Sequence, residues 1–165
     1  RPDRMARETE RKFRVEGEGW RSAATGSHAL VQAYLALGDK AEVRLRISDG
    51  QSAWLTIKSG GAALTRAEFE YPVPVPDARA MLPLCTGTPI SKRRYTVPAA
   101  QGLVWEIAAF EGAHPGLVLA EIELADPAQE VARPAWLGRE VTGEAAYYNA
   151  ALALSGAVPE KGAPG

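Results

Sequence analysis

Charged residues recur at every second position along this chain, stretch after stretch, and that spacing constrains its fold more than any other feature. In "RETERKFRV", residues 7–15, Glu8, Glu10 and Lys12 alternate, while Phe13 and Val15 hold the opposite parity. A period of two is that of an extended strand, whose successive side chains point to opposite faces of a sheet. "AEVRLRIS" repeats the pattern, with Glu42, Arg44 and Arg46 set against Val43, Leu45 and Ile47. Asp49-Gly50 is a hairpin signal leading into "SAWLTIKS". "LTRAEFEYPV", "PISKRRYTV", "LVWEIAAF" and "LVLAEIELA" read as further strands, and "ALVQAYLAL" as one around Val31 to Leu37, about eight in all. Short helices are predicted at "VPDARAMLPL", where Pro76 and Asp77 suit a first turn, at "DPAQEVA", and at "TGEAAYYNAALAL" with Thr142 near its start. Strands joined mostly by hairpins, with a few appended helices, predict a mainly antiparallel α+β domain.

Parity sorts the side chains into two sets. One face receives Glu8, Glu10, Lys12, Glu42, Arg44, Arg46, Lys58, Arg66, Glu68, Glu70, Lys92, Arg94, Glu106, Glu121 and Glu123. The other receives Phe13, Val15, Val43, Leu45, Ile47, Leu55, Ile57, Phe69, Ile107, Ile122 and Leu124. An amphipathic sheet with its polar face in water is the ordinary reading of one such strand. Solvated faces, however, mix in Ser, Thr, Asn and Gln, whereas these rows are almost purely Glu, Arg and Lys. A sheet of about eight strands also tends to curl and close. The helices need an apolar surface to cover, which leaves the charged face as the interior of an eight-stranded closed β-barrel.

Enclosing ions costs several kcal/mol each even after relaxation, so such an interior points to a ligand rather than to stability. Arg forks and Lys ammonium groups suit phosphate oxygens. The carboxylates would repel a polyanion unless a hard cation lay between, and Mg²⁺ or Mn²⁺ takes both kinds of oxygen. Both signs on one face therefore imply phosphate together with metal.

Composition narrows the partners. Nineteen basic and twenty acidic residues nearly cancel, which gives no bulk attraction for nucleic acid or an anionic membrane. The single Cys85 excludes an intrachain disulfide and fits a reducing cytoplasm. No apolar run reaches membrane-spanning length. Residues 1–6 read as an N-terminal extension, with Met5 a natural start, 7–154 as the folded domain, and the Gly/Pro-rich residues 155–165 as a flexible tail. A homodimer is compatible with this reading. His28 and His114 lie in loop-like surroundings and are expected at the surface, and the four tryptophans are expected to pack.

Six elements in order resemble the CYTH superfamily of triphosphate tunnel metalloenzymes: the Glu-x-Glu-x-Lys of Glu8, Glu10 and Lys12, "EVRLR", "LTIKSG", "TRAEFE", "SKRRY" and "LAEIEL". The ending "WLGREVTGEAAYYNAALA" is similar to the C-terminal region of small bacterial members. The resemblance runs from about residue 7 to 154 and implies an eight-stranded antiparallel tunnel with a charged lumen and helices outside. It implies metal-dependent hydrolysis of a triphosphate, with inorganic tripolyphosphate the expected substrate. Thiamine triphosphatase and adenylate cyclase are the superfamily's other activities. It further implies a Lys12–Tyr34 dyad that tunes a base. Lys12, Arg44, Arg46, Lys58, Arg66, Lys92 and Arg94 are then the phosphate clamps, and Glu8, Glu10, Glu68, Glu106, Glu121 and Glu123 the metal ligands. Two departures stand out: Ala108 occupies the position of an expected Asp, and Val31 that of an Arg before Gln32. Ala108 opens an alternative, a triphosphate-binding module with impaired catalysis.

Overall fold

The alternating stretches form strands. The structure, a computed structural model, describes residues 9–59 and 67–159; Glu8 and Arg66 lie outside the described residues. The strands are β1 (Thr9–Val15), β2 (Gly26–Leu37), β3 (Ala41–Ser48), β4 (Ser52–Ser59), β5 (Glu68–Val73), β6 (Thr86–Pro98), β7 (Val104–Glu111), β8 (Val118–Leu124) and β9 (Leu137–Glu140). Two α-helices accompany them, α1 (Val75–Met81) and α2 (Asn149–Ser155). The sheet runs β5-β4-β3-β2-β6-β7-β8-β1-β9.

Among the described residues, nine strands replace the expected eight because Leu137–Glu140 pairs antiparallel with β1, Phe13 opposite Glu140 and Val15 opposite Leu137. An edge strand's free N–H and C=O groups need partners, and this short strand supplies them. β5 and β9 end the strand order, and the closure expected of a barrel is not among the described pairings.

The chain divides into two compact units. The first comprises residues up to Ser27, Arg94–Ala109 and Leu117–Glu144. The second comprises His28–Arg93, Phe110–Gly116 and the chain from Ala145 onward, so β2, β6 and β7 each contribute to both.

In the first unit the apolar parity of β1, β7 and β8 supplies Phe13, Trp105, Ile107, Ile122 and Leu124, which pack with Trp20, Leu137 and the half-buried Trp136. Trp105 meets Phe13 and Trp136 edge-on, at ring separations of 5.7 and 5.5 Å. Burying side chains of this size stabilises by about 1.5–3 kcal/mol each. In the second unit Leu45, Ile47 and Ala53 pack with Ala78 of α1. The helix thus covers the aliphatic face, as parity requires, and leaves the charged face on the other side.

Two helix expectations are corrected. "DPAQEVA" is a turn: the Asp126 carboxylate accepts the Ala128 N–H at 2.9 Å, and that side-chain bond replaces the first helical one. The last helix begins at Asn149 rather than near Thr142, because Thr142 is engaged with β1. His114, expected at the surface, is fully buried. Its ring shares a 2.7 Å hydrogen bond through Nε2 with the Leu152 carbonyl of α2.

Candidate functional site

The first unit gathers carboxylates. Register places Lys12 opposite Glu121, Glu10 opposite Glu123, and Glu106 opposite Glu121, so all five share a face across β7, β8 and β1. Glu10, Glu106, Glu121 and Glu123 line a cleft of about 220 Å³ together with Gly102, Leu103 and Val104.

Like charges directly opposite one another destabilise a sheet. The consequence is visible at Glu10, which as a whole residue stays exposed but whose carboxyl is crowded on the cleft wall. Burial above all, then Glu121 and Glu123, push it up to about 7 against the opposing pull of Lys12. Lys12 is 3% exposed and its Nζ lies 3.0 Å from Glu121 Oε1. Its backbone is pinned as well: its N–H donates to Thr142 Oγ1 at 2.9 Å and its carbonyl accepts the Val141 N–H at 2.8 Å. Arg94 Nη1 reaches Glu106 Oε2 at 3.4 Å.

Four carboxylates around one cleft are the hard oxygen donors that Mg²⁺ or Mn²⁺ takes, and their mutual repulsion is what a divalent cation relieves. Among the described residues no three His, Cys, Asp or Glu side chains already converge as a ready metal cage. Mg²⁺ in particular is commonly held by one or two carboxylates, completed by waters and substrate phosphates. The donor set therefore fits.

The second unit gathers cations. Arg44 stands opposite Tyr34, and Arg46 opposite Gln32, across β2 and β3. Tyr34 is 4% exposed; burial is the main cause of its raised pKa, offset in part by Arg44, which donates to its hydroxyl. Arg46 Nε donates to Gln32 Oε1 at 3.1 Å, which fixes the plane of its guanidinium. The buried Nε of Arg44 and Nε2 of Gln32 have no hydrogen-bond partner among the described residues. Buried donors are nearly always satisfied, so these two N–H groups fit an anion.

Lys58 lies in register between Glu42 of β3 and Glu68 of β5. Glu68 is thus beside Lys58 in the second unit and is not among the described residues lining the carboxylate cleft. Lys92, 7% exposed, donates to Asn149 Oδ1 at 3.5 Å and lies 5.4 Å from the Phe110 ring centre.

Sequence reasoning passed over several residues of this face. Thr56, 1% exposed, donates to Glu70 Oε2 at 3.1 Å, and Gln32 and Asn149 orient Arg46 and Lys92. Parity alone would have found Thr56 and Gln32; Asn149 is far away in sequence and carries no pattern. Trp54, expected to pack, lies opposite Arg46 and keeps 38% of its surface exposed. Ala108 lies opposite Leu119, which pairs in turn with Arg14, so these positions hold no carboxylate where one was expected.

Residues 6–151 match the CYTH domain family. The chain is 38% identical over 149 residues to a protein of Acetivibrio thermocellus named inorganic triphosphatase, an alignment covering 90% of this chain and 94% of that one. A Nitrosomonas europaea protein of the same name is 37% identical over 157 residues, covering 90% and 97%. Among solved structures, the inorganic triphosphatase NE1496 superposes with a TM-score of 0.72 at 32% identity, covering 90% of this chain and 95% of that one. The PH1012 protein of Pyrococcus horikoshii shares the fold with a TM-score of 0.54 at 20% identity, covering 73% and 80%.

Proposed function

The chain belongs to the CYTH domain family, and from that premise we propose that it hydrolyses inorganic tripolyphosphate with the help of Mg²⁺ or Mn²⁺. The observation that carries this reading is the sorting of charge within each unit: carboxylates around a cleft in the first, oriented guanidinium and ammonium groups in the second. Glu10, Glu106, Glu121 and Glu123 are the side chains that would hold the metal. When bound, a divalent cation supplies charge neutralisation on phosphate oxygens and lowers the pKa of water.

The chain's own residues do the rest. Arg44 and Arg46 grip phosphate oxygens with guanidinium planes already set by Tyr34 and Gln32, so little reorganisation is needed as charge shifts toward the leaving phosphate. Lys58, Lys92 and Arg94 extend that clamp. Lys12 is ion-paired with Glu121 and held by backbone hydrogen bonds, which keeps its ammonium fixed beside the carboxylates. Tyr34 is kept as the phenol by burial, which leaves its hydroxyl to hold the Arg44 guanidinium. The closed tunnel belongs to the same proposal, as does a cytoplasmic setting, with which the single free Cys85 accords.

Phosphate release from tripolyphosphate is expected to require Mg²⁺ or Mn²⁺ and to collapse in Lys12→Ala and Glu10→Ala; normal turnover in both variants refutes the assignment. The apolar pairing of Ala108 with Leu119 favours one alternative, a module that binds triphosphate and turns it over poorly. Under it, release is negligible and Ala108→Asp restores it, whereas brisk turnover of the chain as it stands excludes it.

A further inference from the structure

β9 ends at Glu140, yet the chain stays on β1 for two residues more. Val141 donates its N–H to the Lys12 carbonyl at 2.8 Å, and the Lys12 N–H donates to the Thr142 hydroxyl oxygen at 2.9 Å. A side chain thus answers a backbone donor of β1. It does so at the residue whose ammonium lies 3.0 Å from Glu121.

A hydroxyl both donates and accepts, and its proton turns to suit its neighbours. Here the neighbours settle the direction. The Thr142 hydroxyl donates to Glu140 Oε2 at 2.7 Å, and an ionised carboxylate can only accept. The hydroxyl's lone pairs are then left for the Lys12 N–H. Glu140 is held in its turn by the Arg11 fork, Nε at 2.9 Å and Nη2 at 2.7 Å. Arg11 and Lys12 are consecutive in a strand, so their side chains leave β1 on opposite faces. A relay therefore runs from a guanidinium on one face, through carboxylate and hydroxyl, to the backbone of the lysine that serves the other.

We propose that Thr142 is a positioning residue for Lys12: its hydroxyl, set by Glu140 and Arg11, fixes the β1 backbone at Lys12 and so holds the ammonium against Glu121. The bearing on turnover rests on the triphosphatase reading above; the effect on Lys12 itself does not. Groups that stabilise charge in a transition state act only from where they already stand, and a displacement of about 1 Å is costly. A merely structural Thr142 would fasten β9 to β1, which the pairings of Phe13 with Glu140 and Val15 with Leu137 already do.

Thr142→Val removes the hydroxyl and keeps the shape, whereas Thr142→Ser keeps the hydroxyl. Thr142→Ala reads the same loss should the added methyl of valine crowd the Glu140 carboxylate. Hydrogen exchange at the Lys12 amide and ammonium is followed by NMR without substrate or metal, and kcat and KM are measured for tripolyphosphate with Mg²⁺. Thr142→Val and Thr142→Ala are expected to speed exchange at both Lys12 groups by roughly tenfold. They should lower kcat by about tenfold with KM within about twofold, and Thr142→Ser should retain most of both properties. Faster exchange confined to the β9 amides, with the Lys12 ammonium and kcat unchanged, would overturn the proposal. So would a loss in Thr142→Ser equal to that in Thr142→Val. If the unaltered chain releases no phosphate from tripolyphosphate, the triphosphatase reading falls, and exchange at Lys12 still decides the positioning.

Discussion

Glu10 and Glu140 are the same side chain driven in opposite directions by their neighbours. Arg11 donates to Glu140 through Nε at 2.9 Å and Nη2 at 2.7 Å, and the Thr142 hydroxyl adds a third bond at 2.7 Å. Those bonds hold the Glu140 carboxyl down at about 2. Because its folded value lies below the unfolded 4.5, its stabilisation is present above pH 4.5 and is lost as pH falls toward 2. Glu140→Gln should therefore cost on the order of 1 kcal/mol at pH 7, modest because the carboxyl is a third exposed, and almost nothing at pH 2. Urea midpoints at the two pH values check this. Glu10 runs the other way. Its folded value of about 7 exceeds 4.5, so its contribution favours folding below pH 4.5 and is lost as pH rises through 7. Mn²⁺ should then raise the melting temperature more at pH 8 than at pH 6, where protons compete for the same carboxylates, and Glu10→Gln should flatten that difference. Thermal melts with and without Mn²⁺ provide the measurement.

The elements are legible from sequence to very different degrees. β1, β3, β4, β7 and β8 announce themselves because charge and aliphatics alternate, and a pleat has only two sides on which to put them. β9 does not, since four residues of "LGRE" carry too short a pattern; it forms because β1 offers free backbone groups. α2 is likewise a product of its surroundings. Its seven residues are too few to hold a helix in isolation. His114 anchors it through the Leu152 carbonyl, and Gly87 lets it approach so closely that a Cβ there would stand 2.4 Å from the Ala153 carbonyl oxygen. Gly87 also has φ of 70°, in the left-handed region. Gly87→Ala should therefore unseat α2, and His114→Ala should loosen it at a cost of roughly 2 kcal/mol. Faster amide exchange at Leu152 and Ala153, with β3 and β4 unchanged, is the expected sign of both. His114 was misread because an isolated histidine in a loop has no periodicity to reveal its burial.

For the molecule as a whole, the proposed function calls on two clusters of charge, each held in its own unit. Arg44→Ala and Glu121→Gln should each lower kcat/KM for tripolyphosphate by about 10² or more while leaving circular dichroism unchanged. Were only one of them to matter, catalysis would need just one of the clusters.

Alternation by itself determined which residues are charged on one face and apolar on the other, because strand geometry leaves no third direction. It thereby set out the cations and carboxylates on which the proposed phosphate-and-metal chemistry draws, before any contact was known. Tertiary structure decided what a period of two cannot encode: which strands become neighbours, how far Lys12 lies from Glu121, and which guanidiniums Gln32 and Tyr34 orient. It also decided that one tryptophan faces the ionic side. Those outcomes depend on register and on partners distant in the chain, and only the folded backbone brings such residues to within hydrogen-bonding reach.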